Sequence, residues 1–460
     1  MVDKRYLLTD DQMRHFIVNG YVIVNTDLPA SFHDFIYEQT EIVFEKEGNP
    51  GNNLLPRIPE IQGVFDDKRI IGGLTSVLGE DYYMQPHRHA HFNQPKSEGQ
   101  QMHQDSGKEW SHHTRRLLVF YYPQDTPLEL GPTAILPGSH YYNTPDGAAV
   151  SNEFPICGKA GTVAIVNYDL WHRAMPNRTD KNRYMMKFLS ARMSEPRSPS
   201  WNNEQTQWNQ SEPTGNHTHQ KMFQHIWDWH YGRTNGNTPT NGKSMESVPE
   251  LIEELGNDSE SRGLSAAYAL SEFGESAVPA LMEAFEDESE AIRRNAYYAL
   301  SAMGAPTVKP LISSLRHLYP QIREVAAEAL GDIGSPAQAA VPALVAALED
   351  ESERVRFHAA EALGTVSQED STAIPALSAA LRDENERVRQ DAALALARIG
   401  PYAADAVGAL GAVFSDGNMY VRGDAVHALY RIGTPEAREI LLRFLMRTRW
   451  CSVTDRASRS

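Results

Sequence analysis

Two rhythms of apolar residues divide the chain. From Val248 onward a unit of 27 residues returns six times, starting at 248, 278, 308, 341, 374 and 407. VPALMEAFEDESEAIRRNAYYALSAMG (278–304) and IPALSAALRDENERVRQDAALALARIG (374–400) show the pattern. Pro mostly takes the second position, where the first turn of a helix loses no N–H bond. A short amphipathic helix is predicted, then an acidic turn, then an Ala-rich helix ending near Gly. Neither helix can bury its apolar face alone, so the units must stack. The stretch after 434, TPEAREILLRFLMRTRW, predicts one closing helix.

The first half follows a shorter rhythm. DDQMRHFIVNGYVIVN (10–25) predicts a helix, a Gly turn and a strand, and DDKRIIGGLTSVLGEDY (66–82) a second helix ending at Gly79. Short runs rich in Val, Ile, Tyr and Phe then follow at 90–95, 115–124, 133–140, 161–169 and 183–192, separated by turn residues. This is the pattern of an antiparallel sandwich or barrel with helices packed outside. Segment 196–243 is rich in Asn, Thr, Gln, Pro and Gly, interrupted by MFQHIWDWHYG (222–232), and reads as an arm with one docked aromatic helix. The expected organisation is a β-rich domain over 1–200, the arm over 201–243, an all-α solenoid over 244–450 and a tail over 451–460.

Composition sharpens this division. The chain of 460 residues has 43 Lys+Arg against 60 Asp+Glu, a net charge of −17. Residues 1–243 hold 23 basic and 27 acidic groups, and the rest hold 20 and 33. Fourteen of the 17 His and six of the seven Trp lie in the first part. Groups that ligate metals therefore concentrate in the β-rich half, and the excess acid in the solenoid. A negative chain without a clustered basic surface speaks against nucleic acid or anionic lipid as partner. Two cysteines, Cys157 and Cys451, exclude a disulfide framework or a Cys-rich metal site. The N-terminus lacks an apolar signal segment and no run of 18 apolar residues occurs, so a cytoplasmic location without membrane spans is expected.

The chemistry lies in a few spacings. QMHQDSG (100–106) sets His103 and Asp105 two apart, which on a strand turns an imidazole and a carboxylate to one side. Two His and one carboxylate make a facial triad with open positions on Fe(II). NYDLWHRAMPNRTDKNRYMMKF (167–188) offers His172, Asn177 and Arg183, the last opening a predicted strand. A guanidinium there can bind a carboxylate through its planar fork. LELGPTAILPGSH (128–140) lies between, with a tight Pro-Gly-Ser-His turn.

The ordered set of HQD, LPGSH, Gly161 with ten residues between it and His172, and His172–Asn177–Arg183 resembles the phytanoyl-CoA dioxygenase family over roughly residues 8–195. NGYVIVN (19–25) and HFNQPK before HQD are similar to it too. The resemblance implies a double-stranded β-helix, or jelly roll, with flanking helices. It implies a dioxygenase of a small-molecule substrate, most simply a hydroxylase, dependent on Fe(II), 2-oxoglutarate and O2. His103, Asp105 and His172 would hold iron, and Arg183 the distal carboxylate of 2-oxoglutarate. Three departures touch the co-substrate: Ala174 where the family often has Ser, Leu130 for the usual Asn before Gly131, and Thr162 for Asp. The presence of Asp105 speaks against a halogenase. The 27-residue units resemble HEAT repeats, of the short type also found in phycobilisome lyases. They imply a protein partner or self-association through the array. The alternative is a non-catalytic HEAT scaffold whose jelly roll is a degenerate sensor.

Other residues bear on the site less directly. Arg88, Trp110 and His112 are candidate substrate contacts. His87, His89 and His91 alternate in PHRHAHF, as pocket polarity or as a second metal cluster. Trp227, Trp229 and His230 read as a docking contact or a lid. Asp at unit position 10 (Asp287, Asp350, Asp383, Asp416) and Arg at position 16 (Arg293, Arg323, Arg356, Arg389, Arg422) read as a structural ladder or as a ligand-binding row.

Overall fold

A computed structural model describes residues 2–105, 110–148, 152–209, 219–233 and 247–447. Helix α1 (Asp10–Asn19) starts in a capping box in which Thr9 and Gln12 satisfy each other's backbone N–H. It stops at Gly20 in the left-handed region and runs into β1 (Tyr21–Asn25). Helix α2 (Ala30–Glu47) follows, then α3 (Lys68–Leu78), capped by Asp67 and ended at Gly79. The remaining strands are β2 (Tyr83–Asn93), β3 (Arg116–Tyr122), β4 (Thr133–Ile135), β5 (Phe154–Pro155), β6 (Thr162–Asn167), β7 (His172–Ala174) and β8 (Arg183–Ala191).

These strands form two antiparallel sheets, ordered β1-β6-β3-β8-β2 and β5-β4-β7, the jelly roll expected. Alternate residues of the larger sheet point inward: Leu118, Phe120, Ala164, Val166, Met185 and Leu189 meet Ile135 and Ile156 between the sheets. The intervening Leu117, Val119, Tyr121, Ile165 and Phe188 join a second core shared with the outer helices. Both faces of β3 are thus covered, which is why RLLVFYY is apolar throughout. The aromatic segment forms α4 (Gln220–His230), with Trp227 fully buried against Trp201 and its ring 5.2 Å from the Arg14 guanidinium. It is a docking contact, and the lid is set aside.

In the solenoid the second helix of each unit is α5 (Glu260–Ser271), α6 (Glu290–Met303), α7 (Pro320–Ile333), α8 (Glu353–Val366), α9 (Glu386–Ile399) and α10 (Met419–Ile432), and α11 (Pro435–Arg447) closes the array. The recurring Asp and Arg form the ladder: Arg323 pairs with Asp350 at 2.7 Å, Arg356 with Asp383 at 2.8 Å and Arg389 with Asp416 at 2.7 Å. Each joins one unit to the next. At the joint between the second and third units the Asp position is His317, and Arg293 donates to the backbone carbonyls of Asp287 and Glu288 instead.

The second helices pack against the jelly roll. Tyr83 stacks on His427 with ring centres 3.8 Å apart, and Arg431 pairs with Asp81 at 2.8 Å. A Cβ on Gly423 of α10 would sit 2.2 Å from Pro86 Cγ, so glycine permits this approach. At the other end, α5 to α8 engage residues 110–116. The face a repeat array offers to partners is therefore covered, at both of its ends, by the chain's own β domain. Among the described residues no helix is long and apolar enough to cross a membrane.

Candidate metal centre and co-substrate pocket

His103, Asp105 and His172 converge, with one ligand atom from each lying within 4.8 Å of the others. The elements differ from the expected pair of long strands. His172 opens the three-residue β7 and is not the end of β6. His103 sits in an isolated bridge, exchanging backbone bonds with His172 at 3.0 and 2.9 Å. That bridge, and not a strand through HQD, brings the two imidazoles together.

Each imidazole is oriented by a backbone carbonyl: His103 Nδ1 donates to Gln101 O and His172 Nδ1 to Leu170 O, both at 2.9 Å. This fixes the tautomer and leaves each Nε2 lone pair for a metal. Burial pushes His172 down to about 4, the neutral form that ligates. Burial alone raises Asp105, but Lys187, His172 and His103 outweigh it and hold the carboxylate below its ordinary value. Lys187 Nζ donates to Asp105 Oδ2 at 2.7 Å, from a side chain only 4% exposed.

Beside the triad lies a cavity of about 330 Å³ whose lining includes His103, His172, Thr133, Ala174, His91 and Arg183. Arg183 Nε donates to Gly131 O at 2.9 Å, while buried Nη2 has no partner. Burial lowers the pKa of this guanidinium, as expected of a cation held without a counter-charge. The hydroxyls of Tyr122 and Thr133 lie together without a well-aligned hydrogen bond. Asn177 explains its place in the motif: its amide donates to Asn93 O and Lys181 O and closes the turn leading to Arg183. Gly131 has φ +72° and touches Asn93 and Met175 so closely that no side chain fits.

The donor set and the unpartnered Arg183 fit the implied groups. Two imidazoles and a carboxylate within 4.8 Å of one another, the imidazoles lining the cavity, are the donor types of a facial Fe(II) site. An unsatisfied buried guanidinium in the same cavity calls for an anion such as the carboxylate of 2-oxoglutarate. Thr133 and Tyr122 escaped the sequence analysis. Thr133 pairs with Ala174 across β4 and β7, so it offers a hydroxyl beside the position where the family often has Ser. The signal was register, which sequence spacing does not carry.

The three candidate substrate residues do not line this cavity. Arg88 folds back on the carbonyls of Gln85 and Met84, both at 2.9 Å, at an irregularity in β2. Trp110 packs edge-on against Tyr297, and His112 stacks on Tyr298 at 4.0 Å. All three make structural contacts: at a strand irregularity in one case, with the solenoid in two. His87, His89 and His91 form no metal cluster. His89 and His91 share a hydrogen bond at 2.8 Å, and His87 bonds Tyr420 of α10 at 2.9 Å. Cys157 is exposed, and Cys451 lies outside the described residues.

Residues 36–185 match the phytanoyl-CoA dioxygenase (PhyH) family, and residues 248–317, 308–397 and 374–457 match HEAT repeats. No curated protein matches the chain significantly. Among solved structures, the chain is similar to the non-heme alpha ketoglutarate dependent carbocyclase SnoK from nogalamycin biosynthesis, at 17% identity over 42% of this chain and 88% of that one, with a TM-score of 0.36. HygX from Streptomyces hygroscopicus, with nickel and 2-oxoglutarate bound, is 16% identical over 40% of this chain and 86% of that one, with a TM-score of 0.34.

Proposed function

We propose that this chain, an Fe(II)- and 2-oxoglutarate-dependent dioxygenase domain of the PhyH type joined to HEAT repeats, hydroxylates a small molecule. His103, Asp105 and His172 would hold the iron, and Arg183 the distal carboxylate of 2-oxoglutarate. One observation carries this reading: Arg183, whose buried Nη2 has no hydrogen-bond partner among the described residues, lines the same cavity as both triad imidazoles.

The bound iron and 2-oxoglutarate would supply the oxidising chemistry, coupling C–H oxidation to loss of CO2 and formation of succinate. The chain's residues do the rest. Leu170 O and Gln101 O aim the imidazoles, and Lys187 holds Asp105 Oδ2, the carboxylate oxygen that lies 3.7 Å from His172 Nε2. Arg183 fixes the far end of the co-substrate through a charge-assisted bond in a desolvated pocket. Thr133, which lines the same cavity, would offer a hydroxyl to the same carboxylate.

Succinate formation under air with Fe(II), 2-oxoglutarate and a panel of small metabolites tests the activity, with oxygen-free spectra as a second readout. The expected result is a weak visible charge-transfer band and succinate release. Absence of both from the purified full chain would refute the proposal.

A further inference from the structure

The segment that leaves the metal centre is gripped by the solenoid. Only four residues separate Asp105 from Trp110. From Trp110 to Arg116 nearly every residue is bonded to a second helix of the array. Trp110 N donates to Glu328 Oε1 at 2.7 Å. His112 Nδ1 shares a hydrogen bond with Tyr268 OH at 2.9 Å, its ring stacked on Tyr298. Arg116 pairs with Glu361 at 2.8 Å. Ser111, His113 and Arg115, alternate residues of an extended stretch, converge on the single carboxylate of Asp332: Ser111 Oγ donates to it, His113 Nδ1 lies 2.9 Å away and Arg115 Nη1 2.6 Å.

Asp332 is almost fully buried, at 6% exposure, so these bonds act where water does not compete. It stands at unit position 25, the row otherwise occupied by Glu272, Ala302, Thr365, Arg398 and Arg431. The ladder residues repeat from unit to unit; this row does not. Three of its members face different neighbours: Glu272 meets Lys221 of the arm helix, Asp332 meets Arg115 and Arg431 meets Asp81. On the other side of Asp105, the His103–His172 bridge fixes the chain, and Tyr168 OH donates to Asp105 O at 3.3 Å. Asp105 and Trp110, with four residues between them in the sequence, are thus anchored in the jelly roll and on the solenoid respectively.

We propose that the HEAT array is a positioning element of the metal centre, with Asp332 as the positioning residue that sets the segment carrying Asp105. This rests on the reading of Asp105 as a metal ligand. The test titrates Co(II) into the full chain and follows hydrogen–deuterium exchange over 100–116. Asp332→Asn is expected to weaken Co(II) binding about tenfold and to speed exchange in 110–116. Asp416→Asn, a ladder variant remote from the segment, should lower stability without changing either readout. Tyr268→Phe removes one hydroxyl from the same grip and should shift both readouts in the same direction by less, which keeps the test open if Asp332→Asn does not fold. Unchanged Co(II) affinity and exchange in the folded variants would overturn the proposal. A wild-type chain that fails to bind Co(II) would instead refute the triad, while the exchange data would still decide the grip.

Discussion

Lys187 Nζ and Asp105 Oδ2 lie 2.7 Å apart inside the jelly roll, so the carboxylate of the candidate metal centre is also the counter-ion of a buried lysine. The pair links the ligand set to stability. Removing Asp105 alone strands a desolvated cation, which costs about 3 kcal/mol or more. Asp105→Ala is therefore expected to lose both metal and stability. Asp105→Ala with Lys187→Met should recover the stability and not the metal. Denaturant unfolding of both variants checks this; equal stability of the two would rule out the ion pair as the cause.

Among the described residues Arg183 has no ionic partner. Arg183→Gln is expected to raise the KM for 2-oxoglutarate on the order of 100-fold, the scale of a charge-assisted pair lost from a buried site. The same change should leave the unliganded chain no less stable, because it removes an uncompensated charge. Steady-state kinetics and a thermal melt measure the two effects separately.

Buried histidines give the fold a pH limit. Burial pushes His140, His225 and His427 down to about 3, and His219 to about 4, against about 6.5 in the unfolded chain. Between pH 6.5 and about 4 the unfolded state binds protons that the folded state does not. Stability therefore rises with pH across this window and is lost as pH falls. Each histidine contributes a penalty of about 1 kcal/mol by pH 5.5. Melts at pH 7.5 and 5.5 should show a clear drop, with proton uptake on unfolding; coincident midpoints would contradict it.

The ladder makes the joints of the solenoid unequal. Asp383→Ala leaves Arg356 with its turn carbonyls but without its paired carboxylate, and is expected to cost about 1–3 kcal/mol. Arg293→Ala removes no side-chain ion pair among the described residues and should cost less. Chemical denaturation of the two variants orders them.

Much of this was legible in the residues. The six units, their Pro, Asp and Arg positions and the closing helix follow from periodicity, because each stacked unit meets the same environment. The convergence of His103, Asp105 and His172 was legible because metal chemistry restricts residue types and the resemblance restricts their order. What escaped depends on contacts distant in sequence. Helix α2 has no clean apolar stripe; its buried residues are only His33, Ile36, Thr40 and Val43. Thr133 and Lys187 become site residues through strand register. Trp110 and His112 were expected over the substrate because they follow HQD in a polar stretch. Their partners, Tyr297 and Tyr298, lie almost 190 residues on, where no local pattern announces them. Within the solenoid the signal was present as a break in repetition at position 25, the mark of a surface fitted to one particular neighbour.

The covered second-helix face has a consequence for association. A domain tethered to its own solenoid docks at an effective concentration in the millimolar range for short flexible tethers. A free protein competing for that face would meet an intramolecular rival at every encounter, and would have to displace the grip on residues 110–116 to win. A partner that left this packing intact would therefore have to read the opposite, first-helix side of the array, whereas a ligand prising open the covered side would free residues 110–116 from the solenoid.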